Sequence, residues 1–328
     1  MSVLLVSWNT CVETRRCLAS LDTAVNDGLR YELIAVDNDS QDGSVDLLES
    51  WPGLRLIRNS ANVGYAAAVN RAYQQARGEF ILLLNSDICF QPGALSALVA
   101  FLREHGDAAG VVPLYLENGL AGALGHHYCD LLDLRSALAL NPLLGRLPGF
   151  RSALKQHTMH GVDFSRPRPV PRPAAACLLL RRRLLGEHQI FDERLPLFCN
   201  DALLAQQLAS QGHRLWMTPE SVVTHLFGAS TRLLDPTARS RHHIGSFVRY
   251  LRLTEPRRSL VIYQSVVLAD RLIRRLFRLP GHLPVRDLIA AVRGDLGPLP
   301  LAAPAIREKD QNSESTENTD HQFRVTNR

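Results

Sequence analysis

The sequence contains 328 residues, 46% of them hydrophobic and 21% charged, and carries a net charge of +5. This composition is typical of a globular protein and excludes a disordered or fibrous chain. No uninterrupted apolar run reaches the ~18 residues that span a membrane, and no cleavable secretory signal is recognisable, so we expect a cytoplasmic protein. Six scattered cysteines without a C-x-x-C pair predict buried thiols rather than a zinc or redox site.

Strand and helix patterns alternate over residues 1–112. Short apolar runs predict strands at residues 3–6, 33–36, 54–57, 80–84 and 110–112. Amphipathic segments predict helices at residues 14–21, 44–50, 64–76 and 92–105. This alternation predicts an α/β fold in which a mainly parallel sheet is flanked by helices.

The middle of the chain is less regular. Residues 113–173 end in the proline-rich run 166–173, which must be extended or loop-like. An apolar run then covers residues 174–180, a helical pattern covers 201–211 and a short strand is predicted at 214–217. We treat the paired histidines in this part and beyond it as surface residues, namely His126, His127, His242 and His243.

Arginine is concentrated near the C-terminus. The segment Arg249–Arg293 holds ten arginines and three acids, a net charge of +7. Within it, residues 259–279 predict an amphipathic helix with four arginines on one face, namely Arg271, Arg274, Arg275 and Arg278. This pattern predicts a peripheral contact with anionic lipid headgroups, although a solvated basic face explains it as well. Nucleic-acid binding is not expected, because no aromatic residues interleave with the charge. The polar tail, residues 301–328, is predicted to be disordered.

Amide, hydroxyl and carboxylate side chains collect where the predicted strands end. They lie in residues 6–9, 37–44, 62–70, 85–87 and 200–201. In a parallel sheet the carboxyl ends of the strands meet at one edge, where ligands bind. The pattern therefore predicts a single polar cleft built from segments that are distant in the chain.

In order and spacing, these segments resemble the family 2 glycosyltransferases of GT-A fold, particularly the rhamnosyltransferase-like branch. The shared motifs are D-N-x-S-x-D-G-S, N-x-G-[FY]-[AG]-x-A-x-N and L-N-[PS]-D, followed by Phe-Asp-Glu at 191–193 and H-x-x-G-x-S at 225–230. The resemblance implies a GT-A (Rossmann-like) domain over residues 1–235, with a nucleotide-binding half (1–112) and an acceptor and catalytic half (113–235). A basic helical extension, 236–300, would follow.

The resemblance also implies which residues bind the donor nucleotide: Ser7, Asn9, Asp37, Asn38, Asn62, Gly64, Tyr65, Asn70, Asn85 and Ser86. Asp37 can accept a hydrogen bond from the imide N–H of a uracil or thymine ring. The helix that begins near Gly64 can favour a phosphate or ribose at its N-terminus. Two structural alternatives remain: Asp37 caps the following turn, and the helix start merely packs on the sheet.

Three further residues would carry the reaction. Asp87 and His225 resemble the family's ligands for Mn²⁺ or Mg²⁺, an ion that also binds the donor's diphosphate. Asp201 resembles the catalytic base that takes the proton of the acceptor hydroxyl. The alternatives are a polar turn at Asp87, a buried structural histidine at His225 and an ordinary helix-start acid at Asp201.

These features predict an inverting, metal-dependent glycosyltransferase. Its donor would be a dTDP- or UDP-sugar, with dTDP-rhamnose suggested by the family branch, and its acceptor a hydroxyl of a glycan or lipid-linked sugar in cell-surface polysaccharide synthesis. We expect it in the cytoplasm, with peripheral contact to the inner face of the plasma membrane.

Three departures from the family pattern, together with the neutral Asn85, keep an alternative open. Neutral residues replace charged ones at Asn200, Leu203 and Gln207. The chain could therefore be a catalytically silent GT-A module that binds a sugar nucleotide or a partner protein. A Rossmann oxidoreductase fits less well, because no G-x-G-x-x-G follows the first strand.

Overall fold

The computed structural model describes residues 1–25, 29–116, 127–141, 143–226, 228–279, 283–297 and 299. The tail predicted to be disordered, residues 301–328, lies outside these ranges, as do His126 and Phe227. Within the described ranges, no helix is both long and apolar enough to cross a membrane.

The strands of the described chain form two sheets. In chain order they are β1 (Ser2–Ser7), β2 (Glu32–Asp37), β3 (Leu54–Arg58), β4 (Phe80–Asn85), β5 (Ile88–Phe90), β6 (Ala108–Leu116), β7 (Tyr128–Cys129), β8 (Arg168–Pro169), β9 (Arg172–Pro173), β10 (Cys177–Arg181) and β11 (Arg214–His225). Nine of them form the main sheet, in the order β3-β2-β1-β4-β10-β6-β11-β5, with β8 beside β11. The other two, β7 and β9, pair with each other.

Most of the main sheet is parallel, as predicted. β1 pairs in parallel with β2 and β4, β2 with β3, and β6 with β11. β10 lies antiparallel between β4 and β6, so six strands (β1–β4, β6 and β11) point the same way. Their apolar runs are buried without interruption, as at Val3, Leu4 and Leu5, which is the pattern of a sheet covered on both faces.

The helices surround this sheet and extend beyond it. They are α1 (Cys11–Ala24), α2 (Ser44–Ser50), α3 (Tyr65–Gln75), α4 (Ala94–Glu104), α5 (Leu134–Ala139), α6 (Pro148–His157), α7 (Asn200–Ser210), α8 (Pro236–Thr254), α9 (Arg257–Leu276) and α10 (Val285–Arg293). The first four pack against the sheet and share its core.

A second apolar core lies outside the sheet. It joins α5 and α7 to the C-terminal helices, and its buried members include Leu203, Tyr250, Tyr263 and Leu288. The helical extension predicted for residues 236–300 is thus packed on the preceding part of the chain. The domain boundary at residue 235 stays a prediction.

Several elements differ from their predicted limits. The strand predicted at 214–217 continues to His225, because a bulge between Thr218 and Val222 restores its pairing with β6. The region described as irregular contains α5 and α6. The prediction of surface histidines is wrong for His127 and His242, which are 1% and 0% exposed.

The arginine-rich helix α9 is also oriented differently from the prediction. Two of its arginines, Arg271 and Arg274, turn inward to the buried carboxylate of Asp270. Leu276 and Phe277 are instead 76% and 66% exposed. Periodicity in the sequence separates the two faces of a helix, but it does not tell which face packs inward.

Candidate active site

A cavity of about 430 Å³ lies at the carboxyl edge of the main sheet. One wall is formed by residues at strand ends, including Val6, Asn85 and His225. The opposite wall comes from the second core, with Phe198 and Phe247 among its residues. The cavity therefore has a polar side from the sheet and an apolar side from the helices.

Nine of the thirteen predicted site residues line this cavity: Asn38, Asn62, Gly64, Tyr65, Asn85, Ser86, Asp87, Asp201 and His225. Ser7, Asn9, Asp37 and Asn70 do not. The segments that carry the nine residues are distant in the chain, and the common direction of the parallel strands brings them together.

Asp37 ends β2 directly behind the cavity residue Asn38. Its Oδ1 accepts a hydrogen bond from the N–H of Ser40 at 2.9 Å, which is the predicted turn cap. Its Oδ2 is buried and has no hydrogen-bond partner among the described residues. Burial raises the pKa of the carboxyl group. One oxygen of Asp37 is thus used by the turn, and the other has no hydrogen-bond partner among the described residues.

The three remaining residues outside the cavity have partners within the protein. Ser7 is fully buried in a hydroxyl cluster with Thr10 and Thr14. Asn9 accepts from the N–H of Gln41 and so ties the first strand end to the turn after β2. Asn70 accepts from the N–H groups of residues 190 and 191 and donates to the carbonyl of residue 191. In the described geometry these side chains position the walls of the cavity.

The start of α3 brings the backbone close to another loop. Gly64 has φ +89°, and a Cβ on it would lie 2.9 Å from the Pro196 carbonyl oxygen, so no other residue fits without strain. Asn62 accepts from the Gly64 N–H at 2.9 Å, and the Tyr65 hydroxyl donates to the Ala175 carbonyl at 3.3 Å. This helix start is fixed in a conformation that faces the cavity.

Asp87 and His225 form an enclosed polar pair in the cavity wall. Asp87 Oδ1 lies 3.2 Å from His225 Nε2, and the two side chains are 8% and 5% exposed. Burial acts to raise the pKa of Asp87, but the hydrogen bonds from His225 and from the Ala229 N–H outweigh it and hold that pKa below its ordinary value. The carboxylate is therefore ionised at neutral pH.

This pair fits a divalent cation only in part. A carboxylate oxygen and an imidazole nitrogen are both ligands of first-row metals. Among the described residues, no group of three His, Cys, Asp or Glu side chains is arranged to hold an ion. An ion at Asp87 and His225 would need further oxygen atoms from a bound ligand, as diphosphate oxygens can supply.

Behind His225 lies a layer of rings that the sequence did not reveal. The His127 ring lies 5.1 Å from that of His225 and stacks on Tyr115 at 4.2 Å. Tyr115 is itself fully buried, with its hydroxyl donating to the Cys177 carbonyl at 3.2 Å. These rings support His225 from the interior and restrict its orientation.

Asp201 lies in the first turn of α7 and is paired with an arginine that was not predicted. Its Oδ2 lies 3.3 Å from Nη1 of Arg172 on β9, and its Oδ1 accepts from the Ala202 N–H at 2.8 Å. The preceding Asn200 caps the Asp201 N–H with its own Oδ1 at 2.7 Å. The carboxylate is fixed from two sides and still lines the cavity.

The departures at Asn200 and Leu203 have a structural explanation. Asn200 is 5% exposed, and its side chain accepts a hydrogen bond from the Asp201 N–H at the start of α7. Leu203 is 7% exposed and lies in the second core. An acid at residue 203 would be buried among apolar side chains without a partner, which is costly. Leucine at this position is therefore a packing residue, and the charge next to Asp201 comes from Arg172.

A family model and a curated relative both match most of the sheet-forming part of the chain. The family model, described as glycosyl transferase family 2, matches residues 2–186. The N-acetylglucosaminyl-diphospho-decaprenol L-rhamnosyltransferase of Mycobacterium tuberculosis (strain ATCC 25618 / H37Rv) is 26% identical over 261 residues, or 76% of this chain and 83% of the relative. These matches confirm the resemblance that the motifs indicated.

Two solved structures share the fold. The mannosyltransferase PcManGT from Pyrobaculum calidifontis, in complex with GDP-Man and Mn²⁺, has a TM-score of 0.52 at 16% identity and covers 90% of this chain and 86% of its own. S. aureus TarS 1-349 in complex with UDP-GlcNAc has a TM-score of 0.51 at 17% identity, with 90% and 88% covered. At these identities the likeness shows the fold, which is the predicted GT-A fold.

Proposed function

Because the chain belongs to glycosyl transferase family 2, we propose that it is an inverting, metal-dependent transferase that moves a sugar from a nucleotide-diphospho-sugar to an acceptor hydroxyl. The observation that carries the proposal is the meeting of Asp87, His225 and Asp201 in one cavity. The first two side chains are suited to the diphosphate end of a donor. The third is a carboxylate fixed on the opposite wall.

The polar wall from the sheet would bind the donor. The free Oδ2 of Asp37 accepts the N–H of a pyrimidine base, and the start of α3 at Gly64 faces the ribose and phosphates. Asp87 and His225 are the residues that would hold Mn²⁺ or Mg²⁺ beside the donor's diphosphate. A bound ion of this kind supplies charge that stabilises the leaving diphosphate.

The transfer itself would be a single displacement. The acceptor oxygen attacks the anomeric carbon of the donor sugar, and the bond from that carbon to the diphosphate oxygen breaks with its electron pair. The Asp201 carboxylate takes the proton of the attacking hydroxyl. Arg172 would act through Asp201, because its guanidinium group holds the carboxylate in place. This group also keeps a positive charge beside the carboxylate at all relevant pH values.

The donor and acceptor are proposed from the named relative and from the shape of the cavity. The M. tuberculosis relative is named as a rhamnosyltransferase that acts on a diphospho-decaprenol sugar. We propose dTDP-rhamnose or a related dTDP- or UDP-sugar as the donor. A lipid-linked sugar suits the apolar wall, where Leu140, Phe198 and Phe247 line the cavity. Cell-surface polysaccharide synthesis is the proposed setting.

Nucleotide titration followed by a turnover assay tests this proposal. The purified full-length chain is titrated calorimetrically with dTDP, UDP and GDP, each with and without Mn²⁺. We expect a pyrimidine nucleotide to bind in a manner that requires Mn²⁺, and we expect the matching nucleotide sugar to be consumed when acceptor is present. Binding without any turnover of donor would favour the silent module instead, and no nucleotide binding under any condition would contradict the proposed transferase.

A further inference from the structure

The outward face of α9 is mostly apolar between the arginines at its two ends. Its exposed uncharged residues are Val261, Ile262, Ser265, Leu268, Ala269, Leu272, Ile273 and Leu276. They recur every three or four residues and so lie on one side of the helix, and none is charged. We name these eight residues the α9 stripe. The α9 stripe spans 16 of the 20 residues of the helix, a length of about 24 Å at 1.5 Å per residue, so it is a continuous surface and differs from a scattered exposed leucine.

Exposed arginines lie at both ends of the α9 stripe. Arg257 and Arg258 begin the helix, Arg275 lies in its last turn, and Arg278 follows the helix. The one acid of α9, Asp270, is buried and bound by arginines on the inner side. The exposed charge of this helix is therefore entirely positive.

We propose that the α9 stripe docks on a membrane surface that contains anionic lipid. An apolar helix face with basic residues at its margins lies in the plane of the interface, where the aliphatic side chains enter the headgroup region. Anionic headgroups attract the flanking arginines. Phe277, which is 66% exposed directly after the helix, adds an aromatic side chain to the same contact.

A second copy of the chain is a poorer occupant of this surface. The α9 stripe has arginines at both ends and no exposed acid on the helix. Pairing of two stripes in either direction would bring arginine against arginine, and such like-charge contacts oppose association. An anionic lipid surface provides an apolar region for the stripe and negatively charged headgroups for the arginines at both ends.

The inner side of α9 packs against a residue that lines the cavity. Tyr263 on its inner face stacks on Phe247 with ring centroids 6.0 Å apart, and Phe247 lines the cavity. Docking through the α9 stripe would therefore hold the cavity near the bilayer surface. The docking proposal stands apart from the proposed reaction, because it concerns a surface that takes no part in the chemistry.

Vesicle flotation of the full-length chain tests the docking directly. The protein is mixed with phosphatidylcholine vesicles, either pure or with about 30% phosphatidylglycerol, and the floated fraction is measured without any substrate. We expect clear flotation with the anionic vesicles and little with the neutral ones. Raising the salt to about 0.5 M should reduce binding severalfold, because the Debye length then falls well below its physiological value.

Matched substitutions distinguish binding through the α9 stripe from non-specific binding to the vesicles. Leu276→Glu should lower the partition coefficient by about tenfold or more, because it places a charge in the interface. Val12→Glu is its control, since Val12 is a 56% exposed apolar residue on α1, and it should leave binding unchanged. A circular dichroism melt confirms that both variants are folded.

The arginines are tested in the same way. The double substitution Arg275→Gln with Arg278→Gln should weaken binding to anionic vesicles by about tenfold, whereas Arg16→Gln with Arg103→Gln should not. Equal loss in both double variants would overturn the proposal, as would a wild-type chain that floats with neither vesicle. A stable dimer in light scattering that dissociates on Leu276→Glu would assign the stripe to a second copy instead.

Discussion

Arg172 and Asp201 form a partly enclosed ion pair inside the cavity, with Nη1 and Oδ2 3.3 Å apart. Their side chains are 16% and 21% exposed, so solvent screens the pair less than it screens a surface salt bridge. The Ala202 N–H donates to the other carboxylate oxygen. The pair links β9 to the first turn of α7 and fixes the Asp201 carboxylate in the cavity lining.

Asp201→Asn should abolish transfer while leaving donor binding intact. The amide oxygen can still accept from the Ala202 N–H, so the local structure is retained, but the amide cannot take a proton. We expect kcat to fall by about 10²- to 10⁴-fold, with the calorimetric affinity for the nucleotide unchanged. An Asn variant with near wild-type turnover would remove Asp201 from the role of base.

Arg172→Gln should lower kcat by about tenfold or more without changing the KM for the donor, because the carboxylate loses the cation that orients it. Arg172→Lys keeps the charge and loses the planar guanidinium, so it should restore only part of the rate. Steady-state kinetics with saturating acceptor provide the measurement. A change confined to donor KM would place Arg172 in donor binding.

Asp87→Ala should remove the Mn²⁺ dependence of nucleotide binding. The substitution deletes the carboxylate that faces His225 at 3.2 Å, and an imidazole alone is a weak site for Mn²⁺. Titration with dTDP should then give the same weak affinity with and without Mn²⁺. Asp192→Ala is a suitable control, because Asp192 is paired with Arg194 outside the cavity lining. Retained Mn²⁺ dependence in Asp87→Ala would contradict the assignment.

The polar edge of the sheet could be predicted because strand direction determines it. Once β1, β2 and β4 run in parallel, the residues after each of them must share one edge. That rule placed Asn38 and Asp87 in one cavity although 49 positions separate them in the numbering. To make this prediction, only the local sequence patterns of strands and turns were needed.

Arg172 and the orientation of α9 could not be predicted in this way. Arg172 belongs to a proline-rich run with no periodicity, and its partner Asp201 is 29 residues away. The contact arises only when the second core brings α7 against β9. For α9, both faces contain apolar residues, and packing in the second core determines which one is inside, as where Tyr263 stacks on Phe247.

Asp37→Asn should weaken nucleotide binding by about 10- to 100-fold, because a charged acceptor for the base N–H is lost. The free protein should be at least as stable as the wild type. Burial raises the pKa of this carboxyl group, so in the folded state the ionised form is disfavoured without a ligand, and a neutral amide avoids that cost. Calorimetric titration and urea unfolding at pH 7 measure the two effects.

Asp42→Asn in the same turn provides the matched contrast. Asp42 accepts from the backbone N–H groups of Cys11 and Ser44 at 2.8 and 3.1 Å, so both of its oxygens serve the structure. This variant should lose about 1 kcal/mol of unfolding free energy and keep its nucleotide affinity. The opposite result, with Asp42 affecting affinity and Asp37 only stability, would assign the two roles the other way round.

His157 should make the protein less stable in mild acid. Its ring is 3% exposed, and burial together with the Arg172 charge lowers its pKa from 6.5 to about 4. In the unfolded state, His157 therefore becomes protonated below about pH 6.5. In the folded state, the same ring becomes protonated only near pH 4. The stability is complete above pH 6.5 and falls as the pH is lowered, by about 2 kcal/mol between pH 7 and pH 5.

The measurement is urea unfolding at pH 7 and at pH 5. His157→Gln cannot take up a proton, so its unfolding free energy should change less between these two values than that of the wild type. His188→Gln is the control, because His188 has a side chain 82% exposed and should lose the same stability as the wild type. If His157→Gln loses as much as the wild type, the acid sensitivity belongs to another group, and the enclosed ring beside Arg172 is protonated in the folded protein.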